Sequence, residues 1–427
     1  MSVQEVPTRP RWLRELFVPT HWSFLLGPVA VIAFVVLLLT GVVLTFFYQP
    51  STELVEYDGS AALYAGRELP AAFSSVVTIE EDVPGGLLLR RVHRAASYLF
   101  VAALLLHALR VLLAGAFRGR RFVNYLVGLV LLALALALGW TGQNLVYDVV
   151  TGSSVRIGYT IAASIPYVGT ELADLVFAGP DVDDVVARLF WLHVLLLPVA
   201  FLLGLAAHLW LVVRHRHTVL PRRRDTDGRW LVAVPTGVGL RSRAAQLVAL
   251  VCALLVLAAT LVPFGDVTHI GPFLPGVAGN DMYPDWYLFP MEGAILLLPA
   301  VDVTVLGATI TNPLLGGVLL PAALGGAALL WPLLEALFRR RSPAEQDLSE
   351  HPFHAPVRVA FVALLVTVTV LLSLGAASDV IAQVIGAPVA TVIRVLRASL
   401  VVAPPVLALL AYWYARRRSR QQPLPSH

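Results

Sequence analysis

LLLRRVHRAASYLFVAALLLHALRVLLA, residues 87–114, and LFWLHVLLLPVAFLLGLAAHLWLVV, residues 189–213, decide how this chain folds. Each is an apolar run long enough to cross roughly 30 Å of hydrocarbon, and each carries two histidines. His93 and His107 are 14 residues apart, and His193 and His208 are 15 apart. At 3.6 residues per turn both intervals are about four turns, so each pair shares one face of its helix. At 1.5 Å per residue the two members of a pair stand roughly 21–22 Å apart along the axis. Ionisable side chains inside a span are costly and ask for a functional reason first.

The rest of the chain repeats the apolar pattern. Of 427 residues 58% are hydrophobic and 14% charged, with a mean hydropathy of +0.78; a water-soluble globule of this size needs far more polar surface. Runs of about 20 apolar residues recur near 23–48, 87–114, 122–142, 189–213, 244–264, 312–338, 357–377 and 392–414, which predicts an all-α polytopic membrane protein of eight transmembrane helices. The N-terminal run is followed by no small-residue cleavage site and is expected to stay as a span. The single cysteine, Cys252, excludes an intramolecular disulfide, a CxxCH haem attachment and a cysteine-ligated iron–sulfur cluster within this chain. All 31 basic residues are arginine; they sit in loops beside the spans, which points to membrane orientation and lipid contact and away from nucleic acid.

The charged loops fall into two alternating classes. Basic ones hold Arg9, Arg11 and Arg14, then Arg118, Arg120 and Arg121, the stretch from Arg214 to Arg243, Arg339 to Arg341, and the tail Arg416 to Arg420. Acidic ones hold Glu53, Glu56, Asp58 and Glu80 to Asp82, then Glu171, Asp174 and Asp181 to Asp184, then Asp266, Asp281 and Asp285. By the positive-inside rule both termini are cytoplasmic, and the long loops at 49–86, 143–188 and 265–311 face outward. Loops of that length are commonly functional. The basic stretch suggests three parts: a four-helix domain at 1–220, a cytoplasmic linker at 221–243 and a second four-helix domain at 244–427.

In this orientation His93 and His193 lie near the outer surface, and His107 and His208 near the cytoplasmic one. A lone membrane histidine is commonly an interhelical hydrogen-bonder, but four of them, matched in level on two antiparallel helices, read as axial ligands for two haems b, one above the other. Glycines repeat the interval: Gly27 and Gly41 are 14 apart, as are Gly128 and Gly142. A flat macrocycle crossing a neighbouring helix needs a missing side chain there, and Gly41 and Gly142 belong to the outer level, Gly27 and Gly128 to the inner. Arg90 and Arg188, just before the outer histidines, and Arg110, just after His107, are candidates to pair with haem propionates.

These residues resemble the cytochrome b subunit of quinol:cytochrome c reductase, the bc1/b6f superfamily. The resemblance rests on Arg90-x-x-His93 followed by His107, the glycine pairs, Arg188-x-x-x-x-His193 followed by His208, and Pro284-Asp285-Trp286-Tyr287, which looks like that family's PEWY motif. Stretches such as His21-Trp22-Ser23-Phe24-Leu25-Leu26-Gly27, Ser164-Ile165-Pro166-Tyr167-Val168-Gly169-Thr170 and His217-Thr218 look closer still to the menaquinol-oxidising cytochrome b of actinobacterial bcc complexes, and the lack of lysine suits a high-GC actinobacterium.

The resemblance implies a plasma-membrane protein working with a Rieske iron–sulfur protein and a cytochrome c subunit, in a complex that forms a homodimer. It implies that menaquinol is oxidised at the outer face, one electron going to the Rieske protein and one through the outer and inner haems to a quinone on the cytoplasmic side. Asp285 then accepts a quinol proton, with Tyr287 and Tyr147 at the same pocket. His217, Trp22, Ser23 and Arg214 are candidates for the inner quinone site. Where the family reads Tyr-Ser-Leu-Pro-Trp, this chain reads Gln143-Asn144-Leu145-Val146-Tyr147-Asp148. That departure leaves open an alternative, a haem-binding paralogue or membrane anchor without quinol-oxidising activity.

Overall fold

The computed structural model describes residues 17–19, 22–177, 185–215, 233–235, 240–263, 267–274, 283–300, 302–305, 308–338 and 352–421. Among them are eight helices long and apolar enough to cross a membrane: α1 (Trp22–Thr45), α2 (Gly86–Ala114), α3 (Gly119–Val146), α4 (Val185–His215), α5 (Ala244–Leu261), α6 (Leu314–Phe338), α7 (Pro356–Ala376) and α8 (Val389–Gln421). Hydrocarbon offers no partner to a backbone N–H or C=O, so an apolar run of this length closes its hydrogen bonds within one helix. All eight expected spans are present. α4 starts earlier than its apolar run suggests, and α8 runs on through the basic tail.

α1 to α4 form a bundle around a core that holds Phe34, Phe100, Leu131, Ala135 and Phe201. The three phenylalanine rings meet as a triangle, with centroids 5.5 Å apart for Phe34–Phe100, 4.4 Å for Phe34–Phe201 and 5.3 Å for Phe100–Phe201. Each sits midway between the paired positions of its own helix: Phe34 between Gly27 and Gly41, Phe100 between His93 and His107, and Phe201 between His193 and His208. Ala135 takes the same place between Gly128 and Gly142. The two histidine levels are thus separated by a packed apolar layer.

The unequal spacing of the histidines has a local cause. In α4, Leu192–Leu196 is a π-helical turn, which takes up one more residue than an α-turn. Pro198 lies just beyond it and has no N–H to donate back. The 15-residue interval therefore reaches the same face that 14 residues reach in α2.

α5, which the sequence groups with the second half, packs on the first: Val251 and Leu255 share a cluster with Ala95 and Ala96 of α2, flanked by Ile32 and Val36 of α1. Most of the expected linker lies outside the described residues. Its segment Ala233–Pro235 (β4) pairs antiparallel with Phe17–Pro19 (β1). On the acidic-loop side Leu54–Glu56 (β2) pairs with Glu68–Pro70 (β3), and Val303–Val305 (β5) with Ala308–Ile310 (β6).

The helix Phe289–Leu297, directly after the Asp285 motif, lies against α7 so closely that a Cβ at Gly293 would strike the Leu372 carbonyl. That contact fixes where the motif can reach. On the basic-loop side one ionic cluster ties the two halves together. Glu335 of α6 accepts from Arg358 of α7, with Nε 2.9 Å from Oε2, and pairs with Arg118 from the α2–α3 connection at 3.1 Å. Trp331 adds a bond to Glu335 at 3.1 Å, and Arg358, 1% exposed, also reaches the Leu113 carbonyl at 3.2 Å. Removing the carboxylate leaves a buried guanidinium without its counter-charge, a loss of roughly 3–5 kcal/mol. Glu335→Ala is therefore expected to lower the unfolding free energy in detergent by about that amount, and an unchanged melting transition would refute the role given to the cluster.

Candidate functional site

The four histidines meet in two pairs. The His93 and His193 ring centroids are 6.4 Å apart at an interplanar angle of 71°, and those of His107 and His208 are 6.4 Å apart at 76°. The same separation at both levels is set by two helices that run side by side through four turns. Each ring lies on one of the glycines. A Cβ at Gly41 would come within 3.2 Å of His93 Cε1, one at Gly27 within 3.6 Å of His107 Cε1, and one at Gly128 within 3.5 Å of His208 Cε1. At Gly142 it would overlap the His193 ring outright.

The pair nearer the acidic loops is also hydrogen-bonded from behind. His93 Nδ1 lies 2.8 Å from Thr40 Oγ1. His193 Nδ1 lies 3.2 Å from Thr141 Oγ1 and 3.1 Å from the Leu138 carbonyl. With Nδ1 engaged, the nitrogen left on each ring is Nε2. Neither threonine was singled out in the sequence, although Thr40-Gly41 and Thr141-Gly142 repeat the same dipeptide at the same level.

A cleft opens beside this pair, lined by Gly41, Gly142, His93, His193, Arg94 and Asp285. Asp285, 5% exposed, is gripped by three donors. Arg94 Nη2 and Tyr98 Oη donate to Oδ1 at 2.7 Å each, and Tyr287 Oη donates to Oδ2 at 2.8 Å. Its backbone N–H donates to Gln143 Oε1 at 3.2 Å. Burial, and then the carboxylate it serves, push the Tyr287 hydroxyl well above its ordinary range. Arg94 and Tyr98 lie on α2, 191 and 187 residues from Asp285, and no sequence signal paired them with the motif.

Several expected site residues sit differently from expectation. Arg90 lines the cleft but is committed to Glu80, a buried ion pair between α2 and the helix Ala71–Glu81. Arg188 turns to the Asp174 and Leu175 carbonyls, at 2.8 and 2.7 Å, and so closes the end of the helix Gly169–Phe177. Arg110 stacks over Phe24 at 3.7 Å. Tyr147 has a left-handed backbone, φ +53°, and its ring is buried against Phe273, centroids 5.3 Å apart, in the apolar core of the acidic loops beside Val155, Ala173 and Phe177. The unusual 143–148 segment is stitched to the loop at 271–273 by Phe273 N–H to Tyr147 O at 3.0 Å and Val149 N–H to Gly271 O at 3.1 Å, and Asp148 caps the next helix through Thr151 at 2.8 Å. Of the candidates on the basic-loop side, Trp22 is exposed, Arg214 is exposed and lies over Trp210 of its own helix, and His217 is outside the described residues, as is His21.

The amino-terminal cytochrome b profile, described as "Cytochrome b(N-terminal)/b6/petB", matches residues 98–273. A cytochrome bc1 complex cytochrome b subunit of Streptomyces coelicolor is 33% identical over 368 residues, 86% of this chain and 67% of its own length. The chain belongs to the cytochrome b family. A relative of the same description from Mycobacterium tuberculosis is 33% identical over 411 residues, 94% of this chain and 73% of its own. In fold, this cytochrome b also matches a solved chain described as "Hyperthermophilic respiratory Complex III", with a TM-score of 0.64 at 19% identity, over 94% of this chain and 95% of that one.

A second acidic group adjoins the motif. Tyr283, two residues before Asp285, donates to Asp379 at the start of the helix Ser378–Ile385. Glu292, seven residues after Asp285, has its carboxyl pushed up to about 7 by burial and by the charge of Asp379. A carboxyl whose value is raised in the folded state stabilises the fold fully below its ordinary value of 4.5, and that contribution is lost as pH rises through about 7. The melting temperature of the wild type is therefore expected to fall, relative to Glu292→Gln, between pH 5 and 8. A difference that stays flat across this range would contradict the assignment.

Proposed function

We propose that this chain is the electron-transfer subunit of a menaquinol:cytochrome c reductase, that it holds two haems b on His93/His193 and His107/His208, and that it oxidises quinol at the outer face. The single observation that carries the reading is the repeated 6.4 Å gap between paired imidazoles. Two nitrogen–metal bonds of about 2 Å plus the half-widths of two rings add to nearly that length. A direct contact between two rings fits it less well, and the glycines under each ring leave the side-chain volume a planar macrocycle needs. When bound, haem would supply reversible one-electron chemistry at iron, tuned by the histidines that would hold it and by their hydrogen bonds.

The chain's own residues supply the rest. Gly27, Gly41, Gly128 and Gly142 make room for the two planes. Thr40 and Thr141 fix the tautomer of the outer histidines, so that Nε2 faces inward. Asp285 opens to the same cleft as His93 and His193, which puts a proton acceptor beside the outer electron acceptor. With three donors on its carboxylate, Asp285 takes a quinol proton only when one of them lets go. Arg94, on the outer turn of α2, is the donor at the cleft wall, and Tyr287 holds the other oxygen. Arg90 and Arg110 lie at the outer and inner edges of the bundle, where propionates would need cations. A Rieske protein and a cytochrome c subunit complete the proposed reaction, in a dimeric complex in the bacterial plasma membrane with both termini inside. The charge alternation of the loops supports that orientation, and it supports the division at 1–220, 221–243 and 244–427, with α5 docked on the first part.

The 143–148 segment bears on the alternative of a paralogue without quinol oxidation. It lacks the family's proline, yet Gln143 holds the Asp285 backbone and Tyr147 fills the loop core. The wall of the cleft is thus built from different residues, which favours an outer site that still works.

A dithionite-minus-oxidised spectrum of membranes carrying the chain, with haem quantified, tests this. Two b-type haems per chain are expected, one lost in His93→Ala and the other in His107→Ala. Asp285→Asn should keep both and slow their reduction by menaquinol by about 10²-fold or more. A wild type without haem would sink the proposal, and an unslowed Asp285→Asn would remove the proton-accepting role.

A further inference from the structure

We propose that the side-chain amide of Gln143 binds the substrate: its Nε2 donates to the quinol oxygen whose proton passes to Asp285. The inference rests on the quinol-oxidising reading above and puts a second group of this chain at the reacting atom.

The orientation of the amide is fixed by its neighbour. The Asp285 backbone N–H lies 3.2 Å from one end of it. A backbone N–H can only donate, so that end is the oxygen, Oε1, and the NH2 group is at the other. Gln143 is 8% exposed and lines the cleft together with Asp285, Arg94 and His193. Nε2 is buried with no hydrogen-bond partner among the described residues. Buried donors are rarely left so, because the group has given up water and received nothing in return. The hydroxyls of the same lining spend their hydrogens on carbonyls: Thr45 Oγ1 on Val42 at 2.7 Å, Tyr48 Oη on Leu145 at 2.6 Å and Ser97 Oγ on Arg94 at 2.8 Å. Gln143 thus brings two uncommitted N–H hydrogens to the residue that accepts a proton.

A quinol oxygen placed there meets two groups with complementary tasks. As its O–H bond breaks, the proton goes to a carboxylate oxygen of Asp285 and the bonding pair stays on the quinol oxygen. That oxygen turns negative in a largely apolar cleft. A donor fixed in advance stabilises it more than it stabilised the neutral hydroxyl, and so acts on the rate. The amide suits the task because it is neutral. A cation at the same place would hold the Asp285 carboxylate in its ionised form and weaken it as a base. The anchor at Oε1 matters equally, since it ties the donor to the backbone of the very residue that takes the proton.

The test follows reduction of the b-type absorbance over a range of menaquinol concentrations, in membranes carrying the complex. Gln143→Glu keeps an oxygen for the Asp285 N–H and loses the amide hydrogens, so it separates donor from anchor; alkaline pH keeps the new carboxyl ionised. It should retain the haem content and lower kcat and kcat/KM together, by about 10²-fold. Wild-type kinetics in this variant would leave Gln143 an anchor only and overturn the proposal. Infrared spectra with menaquinone labelled with 13C at one carbonyl or the other give a second reading. One label should absorb at lower frequency in the wild type than in detergent, and the shift should vanish in Gln143→Glu. Two unshifted labels, or a shift kept in the variant, would overturn the inference. So would a variant that moves only the bands of haem labelled at its propionate carboxyls, because the amide would then serve haem. If Gln143→Glu loses haem, the labels in the wild type decide alone. A wild type without haem, or with haem that menaquinol does not reduce, would instead fell the reading beneath the proposal.

Discussion

A ring nitrogen placed in hydrocarbon must be met by a partner, and four histidines on α2 and α4 place eight of them there. Much of the first bundle is arranged to answer that demand. Opposite rings are held at one common separation, 6.4 Å between centroids at both levels. In the pair nearer the acidic loops the Nδ1 atoms are met by threonines of α1 and α3. At Gly142 a side chain would overlap the His193 ring and at Gly41 it would crowd His93, while at Gly27 and Gly128 the ring lies at ordinary contact distance. Even the π-turn of α4 belongs to this set, because it returns His208 to the face that His193 occupies.

A second constraint acts on the acidic-loop side, where charges are buried close together. Glu80 with Arg90, and Asp285 with Arg94, are two ion pairs on successive turns of α2. Each would be expensive alone in an apolar setting, and each is made tolerable by additional hydrogen bonds. The result is a carboxylate aimed into a cleft by groups from three separate parts of the chain: Arg94 and Tyr98 of α2, Gln143 at the end of α3, and Tyr287 in its own motif.

The framework of this site is legible in the sequence because it is periodic. Histidines and glycines four turns apart declare a shared face without any knowledge of the neighbours, and alternating loop charge declares direction. What stays hidden depends on contacts between distant segments. Arg94 directly follows His93 and so lies off its face; Tyr98 meets it one turn on in the same helix at 3.1 Å, but only the folding back of residues 283–288 brings it a carboxylate. Arg188 stands in a motif position but is drawn away by two free carbonyls of a helix end, a sink that sequence does not display. Tyr147 has the residue type of a pocket wall, yet a left-handed backbone turn directs it into the loop core. The Thr-Gly dipeptides were readable and needed only a comparison of the residue before each glycine.

The triangle of Phe34, Phe100 and Phe201 has a consequence for the electrical properties of the bundle. The three rings, with Ala135 beside them, form an apolar layer between the two histidine levels. Voltage falls where the dielectric constant is low, so part of the membrane potential drops across the aromatic layer. A charge transferred from one side of the layer to the other does a corresponding share of the ~2.3 kcal/mol of work per 100 mV that a full crossing requires. The layer that spaces the two histidine levels is thus also the dielectric of a membrane capacitor, and its thickness sets what share of the field any charge crossing it works against.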